Sequence, residues 1–278
     1  MTIPAITLND GTTIPAVGFG TCKLNGSPGV EAILRAIDSG YRLLDSAFAY
    51  ENEGAVGEAV RQTKVSREEL RVTSKLPGRY YKYDDALATV EESLYRTRLE
   101  YIDLYLLHWP NPAQGLYLEA WSALVEARQR GWVKSIGVCN FLPTHLEKLI
   151  ADSGVTPVVN QIELHPYFPQ SEQLAWDKAH GIVTEAWSPI GRGNDLQQHP
   201  LLQGISQRTG KSVVQVILRW QYQLGAVALP KASSAKRQQE NLALFDFELS
   251  GDDMQAIAGL AKPDGRILGQ DPARYEEL

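Results

Sequence analysis

The strongest constraint on how this chain can fold is a rhythm: from near its start to about residue 244, short apolar runs alternate with longer amphipathic ones. That is the pattern of repeated strand and helix units on a parallel sheet. Eight runs read as strands: VGFG (17–20), RLLDSA (42–47), RVTSKL (71–76), YIDLYLLH (101–108), SIGVCN (135–140), VVNQIEL (158–164), IVTEAW (182–187) and VALPKA (227–232). Between them lie helical stretches such as PGVEAILRAIDSG, with apolar residues at helical spacing and a glycine stop. Ser66 and Glu69 have the spacing of a capping box ahead of one short turn. The insertions that break the rhythm, around 110–117 and 190–210, both follow expected strands. Eight units closed into a ring give a (β/α)8 TIM barrel, an α/β fold whose functional loops follow its strands.

Ahead of the first unit, ITL and TIPAV flank Asn9-Asp10-Gly11. Asp-Gly supplies the positive φ of a tight turn, so an N-terminal β-hairpin is expected as a lid over one end of the barrel. A length of 278 residues suits one such barrel or two small domains. No Pro-, Gly- or Ser-rich linker divides the chain, so the expectation is one barrel domain over 1–278 with long active-site loops.

Charge and cysteine content exclude several roles. Against 27 basic residues stand 33 acidic ones, without a basic stripe, which argues against a nucleic-acid partner. The opening MTIPAITLND lacks a charged and then apolar targeting pattern, and no segment approaches about 18 consecutive apolar residues, so no membrane partner is expected. Cys22 and Cys139 are the only cysteines, too far apart for a metal-binding pair and too few for a disulfide framework. A reducing cytoplasm is the natural compartment, and a monomer the expected state.

The ends of the expected strands carry polar or ionisable residues almost throughout: Thr21, Asp45, Lys75, His108, Asn140, Gln161, Ser188 and Lys231. Any one of these reads equally well as a satisfied strand-end polar residue, and His108 as a core histidine. Burying so many polar groups on one rim costs free energy unless a site uses them. Asp45, Tyr50, Lys75 and His108 form a set with a mechanism. A phenol donates a proton near neutral pH only if its conjugate base is stabilised, and an ammonium such as Lys75 does that while Asp45 holds it in place and charged. His108 would then be a neutral hydrogen-bond partner for a substrate carbonyl, or a second proton carrier.

At this point the chain resembles the aldo-keto reductases over essentially its whole length. The stretches that carry the resemblance are GFGT, GYRLLDSAFAYENEGAVGEA, VTSKL, DLYLLHWP, SIGVCNF, VVNQIELHP and PKASSAKRQQENL, in that order and spacing. Within the family it is similar to the bacterial branch that includes 2,5-diketo-D-gluconate reductases, through GVTPVVNQIELHP, LRW and ENLALFDFEL. The resemblance implies a catalytic tetrad of Asp45, Tyr50, Lys75 and His108, and NADPH (NADP+) laid across the barrel mouth. No G-x-G-x-x-G turn follows a strand, in keeping with a nucleotide site of another kind than the usual dinucleotide fold.

By the same resemblance Asn140 and Gln161 hold the carboxamide, beside Cys139, and Trp187 stacks on the nicotinamide. Ser188, Pro189, Ile190 and Gly191 cover the pyrophosphate, and Lys231, Ala232, Ser233 and Arg237 surround the 2′-phosphate. Glu240 and Asn241 lie near the adenine, and Gly20, Thr21, Cys22 and Asp45 complete the expected cofactor-binding set. Cys22, Phe48, Tyr50, Tyr81, His108 and Trp109 are the candidate substrate contacts. Three positions depart from the usual family pattern: Cys139 in place of serine, Cys22 in place of an aromatic, and Ala232 in place of a serine.

The expected activity is reduction of aldehydes or ketones by hydride transfer, with Tyr50 as general acid and keto-sugar acids or methylglyoxal as substrates. One alternative is a non-catalytic NADPH-binding barrel acting as a sensor or structural subunit. Another is a metal-dependent hydrolase using Glu163 and His165, which share a strand face but lack a third ligand, so no metal is expected.

Overall fold

The structure, a computed structural model, describes residues 3–277. The chain opens with a hairpin of β1 (Ala5–Thr7) and β2 (Thr13–Pro15), in which Ile6 faces Ile14 across the pair. Gly11 takes the positive φ of 84° that the turn requires, and the Leu8 N–H donates to Thr12 O at 2.9 Å. Then follow β3 (Phe19–Gly20), α1 (Gly26–Ser39), β4 (Leu43–Asp45), α2 (Glu53–Gln62), β5 (Arg71–Leu76), α3 (Tyr83–Thr97), β6 (Ile102–Leu107) and α4 (Tyr117–Gln129). The second half comprises β7 (Val133–Cys139), α5 (Pro143–Ser153), β8 (Val159–Glu163), α6 (Ser171–Ala179), β9 (Val183–Trp187), α7 (Pro200–Thr209), α8 (Val213–Gln223), β10 (Val227–Ala228), α9 (Ala235–Leu242) and α10 (Gly251–Ala258).

Strands β3 to β10 form one parallel eight-stranded sheet in sequential order. It closes on itself: Val17 bridges Ala228, and the Gly18 and Gly20 N–H groups donate to Ala228 O and Pro230 O at 2.9 and 3.2 Å. The fold is therefore the (β/α)8 TIM barrel. Glycine is required at that seam, because a Cβ on Gly18 would lie 2.6 Å from the Leu229 side chain and 2.8 Å from Leu43.

Alternation along the strands sorts the side chains. Leu43, Leu104, Leu106, Val159, Val227 and Leu229 fill the barrel interior together with Leu8 and Ile14 of the hairpin, which plugs the end where the strands begin. The Asn9 side chain fixes that plug by donating to Pro157 O at 2.9 Å, and the Ser135 hydroxyl donates to Asp10 at 2.7 Å. Leu44, Val72, Tyr105, Ile136 and Val138 face outward under the helices. Burying side chains of this size contributes about 1.5–3 kcal/mol each.

Three expectations need correction in detail. The strand expected over 227–232 ends at Ala228, so Lys231 lies in the loop beyond it. Ser66 does not cap the backbone of the short turn after it; its hydroxyl bonds the Glu69 carboxylate at 3.1 Å instead, and reciprocal boxes form at Ser212/Gln215 and Ser250/Asp253. The 190–210 insertion is largely helical, carrying two short 3-10 turns before α7. Among the described residues no helix is long and apolar enough to cross a membrane.

Candidate active site

Above the apolar interior, where the strands end, sits a buried polar layer. Period-two alternation turns Asp45 of β4, Lys75 of β5, Gln161 of β8 and Glu185 of β9 inward, all of them buried. The Lys75 Nζ donates to Asp45 Oδ1 at 2.6 Å and to Ser46 O at 2.7 Å. Burial pulls the Lys75 ammonium down, but the Asp45 charge, together with Tyr50, Cys139 and the hydrogen bond to Asp45, outweighs this, and the net shift is upward. Lys75 is thus a fixed cation with its charge guaranteed.

Tyr50 reaches this layer from a short 3-10 turn, Phe48–Tyr50, after β4. Tyr50 is half-buried and lines the cleft, and Lys75 Nζ lies 5.1 Å from its ring centroid. Burial pushes the phenol up, with the Lys75 charge working in the opposite direction, so Tyr50 carries its proton throughout the neutral range. The turn is held by Asn52, whose amide donates to Thr21 O at 2.7 Å and accepts from the Ser46 hydroxyl at 2.7 Å. The His108 ring stands 6.0 Å from that of Tyr50, edge to face.

These groups line a cleft of about 590 Å³ at the barrel mouth. Gly20, Cys22, Asp45, Tyr50, His108 and Trp109 wall it, as do Cys139, Asn140, Gln161 and Trp187, and the Ser188-Pro189-Ile190 loop and Lys231 form its rim. The Asn140 amide bridges two strands, donating to His108 O at 3.0 Å and accepting from Trp187 Nε1 at 2.7 Å. The rim loop is pinned from α8, where the Gln221 amide donates to Leu164 O and Pro189 O at 2.8 and 3.0 Å. Ser188 adopts a left-handed φ of 49°, a strained conformation for a non-glycine residue that this pinning sustains.

Other expected site residues fall elsewhere. Phe48 and Tyr81 do not wall the cleft: Phe48 is packed between Tyr80 and the Arg96 guanidinium, and the Tyr81 hydroxyl donates to Trp109 O. Thr21 is fully buried with its hydroxyl committed to Asp45 O. Gly191 lies behind the rim, where a Cβ would meet the Asn194 side chain at 2.3 Å. Ala232 packs into the apolar layer under α1, so its methyl has a core role. Ser233 and Arg237 are exposed, Glu240 is half-buried, and Asn241 is buried near Tyr41. Burial drives the Cys139 thiol well above its usual range, which leaves it an inert neutral group. Glu163 and His165 form an internal pair at 2.9 Å, with Glu163 Oε1 also accepting the Ile267 N–H at 2.6 Å.

The structure adds residues not anticipated from sequence: Lys23, Arg192, Gln270, Tyr275 and Glu277 border the cleft, and Glu185 lies beneath it. Gln161 Nε2 donates to both Asp45 Oδ1 and Glu185 Oε2, at 2.9 and 2.8 Å, leaving its carbonyl oxygen as the free acceptor. A charge inside the apolar run IVTEAW was the available sequence signal for Glu185. Burial, reinforced by the Asp45 charge, pushes Glu185 up to about 7 from an ordinary 4.5. Because the folded state holds this proton more tightly than the unfolded state, its contribution to stability is lost as pH rises from 4.5 through about 7. Glu185→Gln should therefore stabilise the protein more at pH 8 than at pH 5 relative to wild type, as read by thermal melting. A stability difference independent of pH would contradict this account.

A phenol, an ammonium, a carboxylate and an imidazole at one barrel mouth suit proton delivery to an oxygen that gains negative charge. Comparison with known proteins assigns the class: residues 16–262 match the Aldo/keto reductase family, and the chain belongs to it. It is 48% identical to 2,5-diketo-D-gluconic acid reductase B of a Corynebacterium species, over 99% of both chains. It is 41% identical to methylglyoxal reductase DkgA of Salmonella typhimurium, over 97% of both. Among solved structures it is similar to a Gox0644 variant in complex with NADPH, at a TM-score of 0.94 and 40% identity, covering 99% of this chain and 100% of the other. It is also similar to a Bombyx mori aldo-keto reductase in complex with NADP, at a TM-score of 0.91 and 34% identity, covering 100% of this chain and 99% of the other.

Proposed function

We propose that this protein reduces small carbonyl compounds with NADPH, using Tyr50 as general acid, Lys75 and Asp45 as its support, and His108 as the carbonyl partner. The observation that carries the reading is the Lys75–Asp45 pair buried beneath a protonated Tyr50 on the floor of one cleft. The residues present fit the cofactor. Gln161 offers a free carbonyl oxygen to a carboxamide, Trp187 offers an aromatic face, and Lys23, Arg192 and Lys231 line the way out with positive charge.

NADPH supplies the hydride when bound. Tyr50 delivers its proton to the carbonyl oxygen as negative charge develops there, and Lys75 stabilises the phenolate left behind. His108 orients the carbonyl, and Trp109 with Tyr275, ring centroids 4.5 Å apart, excludes water from one side. The names of the relatives direct attention to diketo sugar acids and methylglyoxal as substrates. We further assign the whole chain, 1–278, to one barrel domain acting as a monomer in the cytoplasm, in keeping with its two free cysteines.

Following NADPH oxidation with 2,5-diketo-D-gluconate, methylglyoxal and simple aldehydes tests the reading, with turnover expected to survive a chelator. Tight NADPH binding without turnover of any carbonyl would instead favour a sensor barrel. Cofactor choice is a separate question. Arg237 sits in the first turn of α9, whose start is capped by Ser234, and Lys231 lies six residues before it in sequence. An arginine fork at a helix start suits a 2′-phosphate. Because Arg237 is exposed and screened, Arg237→Ala should weaken NADPH binding by about 10-fold, the lower end for a charge-assisted bond, and leave NADH binding nearly unchanged. Equal losses for the two cofactors in a titration would remove Arg237 from that role.

A further inference from the structure

Segment 271–277 folds back over the barrel mouth and is clasped there by residues from two other loops. The Asn111 side chain pairs with the backbone of Glu277, accepting its N–H at 3.0 Å and donating to its carbonyl at 2.8 Å. Asn111 is fully buried and held at a left-handed φ of 45°. Gly78, in the loop after β5, donates its N–H to Glu277 Oε2 at 3.2 Å, and a Cβ there would strike Asn111 Nδ2 at 1.9 Å and Glu277 O at 2.8 Å. The Ala113 N–H donates to Glu276 Oε1 at 2.7 Å. This cradle aims one carboxylate oxygen, Glu277 Oε1, at His108 Nδ1, 2.7 Å away, with both side chains only 13% exposed. The approach lies off the ring N–H direction, making it a charge contact rather than a directed hydrogen bond.

A carboxylate held this close to Nδ1 by a cradle of backbone and side-chain contacts fixes the plane of the imidazole. We propose that Glu277 is a positioning residue for His108, setting the ring's orientation so that its other nitrogen is presented to the substrate carbonyl. This rests on the role given to His108 above. The tail thereby belongs to the chemistry of the site as well as to its walls, and Tyr50 remains the source of the transferred proton.

A double-mutant cycle with a spectroscopic readout tests it. Glu277→Gln keeps size and removes charge, so it should lower kcat by about 10- to 100-fold, the range for losing one partner of a charge-assisted pair, with KM little changed. In a His108→Gln background the same change should cost nothing further. The nitrogen-15 resonance of His108 Nδ1 should move in Glu277→Gln, with Glu277→Asp recovering part of the shift and part of kcat. A silent Glu277→Gln, additive losses in the cycle, or an unmoved Nδ1 resonance would each overturn the proposal while leaving His108 its role. Loss of NADPH binding in Glu277→Gln would also overturn it, marking the contact as a structural clamp. Full kcat in His108→Gln alone would instead remove the reading on which the proposal stands.

Discussion

Tyr50→Phe is expected to lower kcat for carbonyl reduction by about 100- to 10,000-fold, the usual contribution of a general acid. The substitution preserves the ring, and with it the packing against His108 and the approach of Lys75 to its face. It removes only the hydroxyl, whose proton the buried environment retains across the neutral range. NADPH affinity should survive, since the residues proposed to hold the cofactor are other side chains of the cleft. Stopped-flow turnover together with fluorescence titration of NADPH separates the two effects. A variant that keeps more than a tenth of wild-type kcat would mean that another group donates the proton, and His108 would be the next to test.

The second large effect is expected at Lys75. Lys75→Met removes a buried ammonium and strands Asp45, which keeps only the Gln161 amide as a partner. Breaking a buried ion pair on one side costs about 3–5 kcal/mol. The variant should therefore lose stability on that scale in denaturant unfolding, and lose turnover because nothing stabilises the phenolate. Replacing both partners distinguishes the two consequences. Asp45→Asn with Lys75→Met should recover much of the stability, since no unpaired charge remains, while activity stays low. Recovery of activity with stability would show that the pair only supports the fold.

The cost of this buried layer explains why its members were visible in the sequence. Lysine and aspartate at the ends of apolar strands have no place in a core unless they are paired, which is why Asp45 and Lys75 are legible as site residues in the sequence. Glu185 also turns inward, and its signal is a charge inside an apolar run. It lies inside its strand, so the pattern of polar strand ends does not include it. Phe48 and Tyr81 show the opposite error: aromatic residues in loops after barrel strands suit a pocket wall, yet a ring can turn either way, and packing against Tyr80 and Arg96 or the backbone of Trp109 turned these aside.

What the sequence by itself determined was the barrel and the polar rim, because both follow from local regularities. Alternation sets which side chains point inward, eight strand-helix units set the closure, and Asp10-Gly11 sets the hairpin that plugs one end. What only the tertiary structure decided depends on contacts between residues far apart in the chain. The Gln161 amide joins Asp45 to Glu185 across three strands, and Gln221 of α8 holds the strained loop after β9. Glu277 meets His108, 169 positions earlier in the sequence, through a clasp that Asn111 and Gly78 complete. No periodicity encodes such contacts. They exist because closing the barrel brings the loops after every strand to one mouth, where a side chain's role is set by its neighbours in space.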